Sequence, residues 1–189
     1  MIAQSYAPGV ACYTRNSYSG YIDNRNVPMS SYEPIYTSTQ VANAAGMTAV
    51  NFRAHLMRGH WRVIGAKAGR NGQSHKFSIF DAVGYALAYQ LEMSGVDPKT
   101  AFDRAMTDFA HGGNADRDAG DVMDYVRHGL TIYVYCPGAP VGECVGSKHV
   151  ADAVSLFIPP MCERAERAIL INMNDLRRRV ELALDWTAA

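Results

Sequence analysis

The stretch from Ser78 to Phe109 constrains the fold more than any other part of this chain. Ile79, Val83, Leu87 and Leu91 recur at helical spacing behind a serine, with Asp81 at the third helical position. Ser78 and Asp81 therefore form a capping-box pattern. Gly95 ends that helix and Asp97-Pro98 starts another, in which Pro98 occupies the first turn and Ala101, Phe102, Ala105 and Phe109 share a face. Apolar faces of this kind are stable only when buried against other elements.

The residues upstream supply two shorter helices. Thr37-Ser38-Thr39 offers hydroxyl caps for a helix containing Val41, Ala42 and Ala45, which ends at Gly46. Gly46-Met47-Thr48 makes a tight turn, with Thr48 placed to cap a helix over about residues 49–58. Its pattern directs Val50, Phe52 and Leu56 or Met57 to a core and leaves Asn51, Arg53, His55 and Arg58 outward, and Gly59 stops it. Two short helices joined by a glycine-containing turn are a helix-turn-helix signature. Trp61-Arg62-Val63-Ile64 has strand character, Arg70-Asn71-Gly72 signals a turn, and His75-Lys76-Phe77 resumes extended structure. This predicts a wing with a long tip. Phe52, Leu56, Trp61 and Phe77 are expected in the core rather than stacked on bases.

Charge singles out the same region. The net charge is zero, yet no acidic residue lies between Glu33 and Asp81, a window that holds Arg53, Arg58, Arg62, Lys67, Arg70 and Lys76 with His55, His60 and His75. From Gly113 onward acids outnumber bases. One end of the chain is suited to anions.

The order helix, turn, helix, wing, helix, helix resembles the DNA-binding domain of the mercury-resistance regulator (MerR) superfamily. The residues that carry the resemblance are Gly46-Met47-Thr48, Arg53, Gly59 before the wing, Lys76-Phe77-Ser78 with Asp81, and Gly95-Val96-Asp97. It covers roughly residues 38–109. The resemblance implies that Arg53 lies in a recognition helix and contacts DNA, and that the wing cations contact flanking phosphate. Val50 stands where the family often has a basic residue, and Ala54-His55 replaces a frequent pair of tyrosines. Arg can donate two hydrogen bonds to guanine and Asn can pair with adenine, whereas phosphate contacts set affinity and register. The expected DNA-binding residues are Thr48, Asn51, Arg53, His55, Arg58, Arg62, Lys67, Arg70, Asn71 and Lys76.

The remainder sets the organisation. Residues 1–36, rich in Ser, Asn, Gly, Pro and Tyr, read as an irregular arm, residues 37–112 as the winged helix-turn-helix domain, and residues 113–189 as a small α/β region for dimerisation or effector binding. The overall class is α+β. In the last part residues 130–135 and 168–172 read as strands. Residues 148–156 fit either a helix or a strand. Asn172 or Asn174 caps a terminal helix with Leu176, Val180, Ala183 and Leu184 on its apolar face. Arg177-Arg178-Arg179 on that helix reads as a solvated face, with DNA or an acidic partner as the alternative.

His128, Cys136, Cys144, His149 and Cys162 are the potential zinc ligands, but no CxxC or HxxxH pair occurs, and buried apolar cysteines are expected in place of a metal site. The glycine-rich run at 65–72 lacks the order of a phosphate-binding loop, and no Ser-His-Asp or paired-carboxylate arrangement is recognisable. Neither an enzyme nor a cofactor is expected. Four sparse cysteines, no membrane-length apolar run and no signal-peptide pattern point to the cytoplasm. The expected function is a transcriptional regulator that binds double-stranded DNA as a homodimer. The alternatives are a bacteriophage architectural or packaging factor, of excisionase or small-terminase type, and a regulator whose C-terminal part senses a small molecule.

Overall fold

The computed structural model describes residues 33–64, 75–157 and 167–186. Its elements follow from local chemistry that begins with caps. Helix α1 (Ser38–Ala44) starts at Thr37, whose hydroxyl accepts from the Gln40 N–H while the Gln40 side chain accepts from the Thr37 N–H at 2.9 Å. Gly46, at φ +80°, turns the chain, and Thr48 caps α2 (Ala49–Met57) by accepting from the Asn51 N–H at 3.1 Å. Helix α3 (Ile79–Met93) opens on the expected Ser78–Asp81 box, in which the Asp81 carboxylate accepts from both the N–H and the hydroxyl of Ser78 at 2.8 Å. Asp97 caps α4 (Pro98–Arg104), which runs on as a π-helical turn over Ala105–Ala110.

Helix α3 is the centre of the molecule. The sequence pattern marks one apolar face, but Phe80, Ala82, Tyr85, Ala86 and Ala88 are buried as well, because α3 is covered from several sides by α1, α4, the π-helical turn and the C-terminal helix. Gly84 permits the closest of these approaches: a Cβ there would stand 2.8 Å from the Ala110 Cβ and 2.9 Å from the Met106 Sδ.

The sheet at this end differs from the expected wing. Strand β1 (Tyr36–Thr37) pairs antiparallel with β2 (Lys76–Phe77), in the register Tyr36↔Phe77 and Thr37↔Lys76. Residues 61–64 are in no strand. Trp61 turns inward instead. It is buried beside Phe52 and Phe102, with Nε1–H donating to the Pro98 carbonyl at 3.2 Å, and the Arg62 carbonyl accepts from the Tyr85 hydroxyl at 2.7 Å. Burial of the indole and capture of that carbonyl by α3 outweigh the strand propensity of Val63-Ile64. The expected wing tip lies outside the described residues, as does most of the expected N-terminal arm.

The C-terminal part forms a second antiparallel sheet of order β4–β3–β5, with β3 (Thr131–Tyr135) between β4 (Glu143–Gly146) and β5 (Ile169–Asn172). Tyr133 faces Cys144 on one neighbour and Ile171 on the other. A short helix α5 (Tyr125–His128) precedes β3. Residues 148–156 prove helical, in a 3₁₀ turn (Ser147–His149) and α6 (Val150–Phe157). Asn172, of the two candidate caps, starts α7 (Met173–Ala183). Met173, Leu176, Val180 and Leu184 are buried, while Ala183 is exposed beyond the edge of that face. Helix α7 packs on α1 and α3, so one continuous core runs from Tyr36 to Leu184. The architecture is α+β.

Candidate nucleic-acid interface

Helix α2 is held from below and open above. Phe52 anchors it, packed edge-on against Tyr85 (ring centroids 4.9 Å apart), Trp61 and Phe77. Leu56 is half-buried beside it. Asn51 and Arg58 are exposed on one flank and Arg53 on the other, with Thr48 exposed at the helix start. Among the described residues Arg53, Arg58 and Lys76 form no salt bridge. Their charge is left for solvent or for a partner. Arg62 is exposed, but its guanidinium meets Asp103 at 2.8 Å, an exposed pair that a phosphate would have to compete with. Lys76 is exposed on β2, which packs beside α1. Lys67, Arg70 and Asn71 lie outside the described residues.

His55 departs from its expected outward position. Its side chain retains 12% exposure, stacks on Trp61 with ring centroids 4.4 Å apart, and brings Nε2 to 3.5 Å from Glu92 on α3. Residue 55 lies on the flank of α2 that Trp61 covers once it folds inward. Three buried polar atoms here, Nδ1 of His55, Nδ1 of His60 and Oε2 of Glu92, have no hydrogen-bond partner. Burial pushes the His55 pKa below the ordinary histidine value; the Glu92 charge opposes this, while His60 and Arg58 add to it.

A group whose folded pKa is depressed contributes stability above its unfolded pKa and loses it as pH falls through the folded value. Protein stability is therefore expected to drop as pH is lowered from about 7 to about 5.5, more steeply than in a His55→Gln variant. Thermal melts of both proteins across that range check this, and parallel curves would show that His55 is not the titrating group.

Val50 also differs from expectation. The pattern directs Val50 to the core, yet it is 72% exposed; of the alternatives Leu56 and Met57, Leu56 is the half-buried one and Met57 is 88% exposed. Phe52 and Leu56 already define the buried side of α2. At about 100° per residue, Val50 and Met57 fall on the far side from them, so the angle was readable once the anchor was known.

Away from α2, the three consecutive arginines of α7 are each engaged within the chain. Arg177 bonds Asp121 and Glu181 and lies over the rings of Phe80 and Trp186, while Arg178 and Arg179 pair with Asp175 at 2.9 and 3.1 Å. A buried network that the sequence reading missed joins the π-helical turn to the second sheet. Asp108 accepts from the Tyr133 hydroxyl at 3.0 Å and the Gly142 N–H at 2.7 Å, with Arg104 at 3.4 Å. Burial raises its pKa above the usual carboxylate value, against the opposing pull of those donors.

Cys136 and Cys144 are buried, and burial pushes the Cys144 thiol up to about 11. Among the described residues no group of three His, Cys, Asp or Glu side chains is placed to hold a metal ion, and no helix is long and apolar enough to cross a membrane. Compared with models of known protein families and with curated proteins, the chain matches none.

Proposed function

We propose that this chain is a sequence-specific double-stranded DNA-binding regulator, a MerR-like winged helix-turn-helix protein in which α2 is the recognition helix. The observation that carries the reading is the open face of α2. From it Arg53 projects on one flank and Asn51 and Arg58 on the other, on a helix anchored by Phe52, in a sequence window free of acids from 34 to 80. A helix so mounted fits the major groove, where Arg and Asn read guanine and adenine. Arg58, Arg62 and Lys76 would neutralise phosphates, and Lys67, Arg70 and Asn71 belong to the same proposal by their place in the acid-free window.

One short helix reads too few base pairs for a unique site, so the proposal includes a homodimer. The apolar face of α7 is already buried against α1 and α3. Pairing would therefore use other surfaces, such as the edge strand β5 with its exposed Leu170. Light scattering on the full chain is expected to give twice its 20.7 kDa mass. A monomer at high concentration would remove the two-fold arrangement.

Selection from a random pool of duplex DNA, followed by footprinting, tests the function. The expected result is one enriched sequence with two half-sites about 34 Å, or a multiple of that, apart. Phased multiple sites with bending would indicate an architectural or packaging factor instead. A pool with no enriched sequence would end the regulator reading.

A second reading draws on a cleft of about 440 Å³ lined by Asp116, Arg127, His128, Glu143 and His149, in which His128 lies 3.6 Å from Asp116. Such a cleft suits a polar small molecule acting as effector, and a thermal-shift screen would detect one as a concentration-dependent rise in melting temperature.

A further inference from the structure

The exposed side of α2 is not simply polar. At about 100° per residue, Val50, Ala54 and Met57 fall within an arc of about 60°, on the side of the helix away from Phe52 and Leu56. Arg53 borders this arc on one side and Arg58 on the other, each about 40° away. Val50 and Met57 are among the most exposed large apolar side chains described, and they stand on the same helix. Left in water, such a ridge forfeits the stabilisation that burial of those side chains provides.

From this arrangement we infer that Val50 and Met57 are specificity-determining residues that contact thymine C5-methyl groups. The inference rests on the DNA-binding reading of α2. The flanking charges select the occupant: an arginine on the helix, a second at its C-cap and no acid suit a polyanion, and an apolar ridge between them needs an apolar group set among phosphates. In the major groove that group is the methyl of thymine, which distinguishes a T·A pair from a C·G pair without a hydrogen bond. Arg53, one step around the helix, is then placed to read a guanine next to a thymine. The selected half-site should contain a thymine beside a guanine.

Replacing thymine by deoxyuridine removes the methyl group and nothing else. On the selected duplex, substituting thymines singly should weaken the wild-type protein about fourfold at one or two positions in each half-site. Val50→Ala and Met57→Ala, both at exposed positions, should each bind more weakly and lose the sensitivity at one of those positions. Undiminished affinity for a fully deoxyuridine-substituted site, with sequence preference intact, would overturn this inference and leave the regulator reading standing. Equal sensitivity to deoxyuridine in wild type and both variants would assign the methyl contact to other residues and overturn it too. A protein that enriches no duplex sequence would remove both readings together.

Discussion

Arg53→Ala is expected to lower affinity for the selected DNA site by about 1–3 kcal/mol, roughly fivefold to 150-fold, and to relax the preference at a single base pair. The fold should be unaffected. Arg53 is exposed, caps nothing and has no ion pair among the described residues, so a thermal melt should shift by no more than about 1–2 °C. The two measurements separate a reading residue from a structural one. Arg53→Lys sharpens the test: it keeps the charge but loses the planar fork, so it should retain general DNA affinity while losing most of the base preference. The salt dependence gives a third check. If Arg53 reads a base, its removal leaves the slope of log affinity against log salt nearly unchanged. Removing Lys76, assigned to a phosphate, should flatten that slope by about 0.9. Unchanged affinity and preference in Arg53→Ala would show that α2 is not the recognition helix.

The features legible in the sequence are those decided within a few residues. Ser78 with Asp81, Thr48 with the Asn51 N–H, and Asp97 with the Thr100 N–H are all contacts between residues three apart, and each begins a helix where its pattern indicates. The exposure of Asn51, Arg53 and Arg58 was legible for a similar reason, since Phe52 sets the phase of the helix. What escaped was decided at long range. His55 is covered because Trp61 folds back over it and because Glu92, 37 positions along the chain, comes up from α3. Strand β2 pairs with β1 across some forty residues rather than with the nearer 61–64 segment. Strand β4, Glu-Cys-Val-Gly, has one β-branched residue and no alternation to announce it; its register against β3 makes it a strand. The same limit hid the Asp108 network, whose members come from α4, the π-helical turn, β3 and the segment before β4.

Asp108→Ala is expected to destabilise the protein by about 3 kcal/mol, a fall in melting temperature of roughly 6–12 °C for a chain of this size. The Asp108 side chain is 5% exposed, and its two oxygens serve three donors: the Tyr133 hydroxyl, the Gly142 N–H and the Arg104 guanidinium. Alanine would strand the Tyr133 hydroxyl and the Gly142 N–H, while Arg104 would keep only its bond to the Pro140 carbonyl. Asp108→Asn separates charge from hydrogen bonding. Its amide oxygen can still accept from Tyr133 and Gly142 while its NH₂ group faces Arg104, so it should cost less than about 1.5 kcal/mol. Burial already disfavours the charged form of Asp108, which reduces what is lost when a neutral amide replaces the carboxylate. The sign of the pH effect follows. A carboxyl whose folded pKa is raised contributes most when protonated, so the wild type should gain stability relative to the Asn variant as pH falls through the carboxylate range. If Asn proves as damaging as Ala, the Arg104 ion pair dominates the network. If neither variant destabilises, Asp108 does not join the π-helical turn to the second sheet, and the continuous core must be held by apolar packing alone.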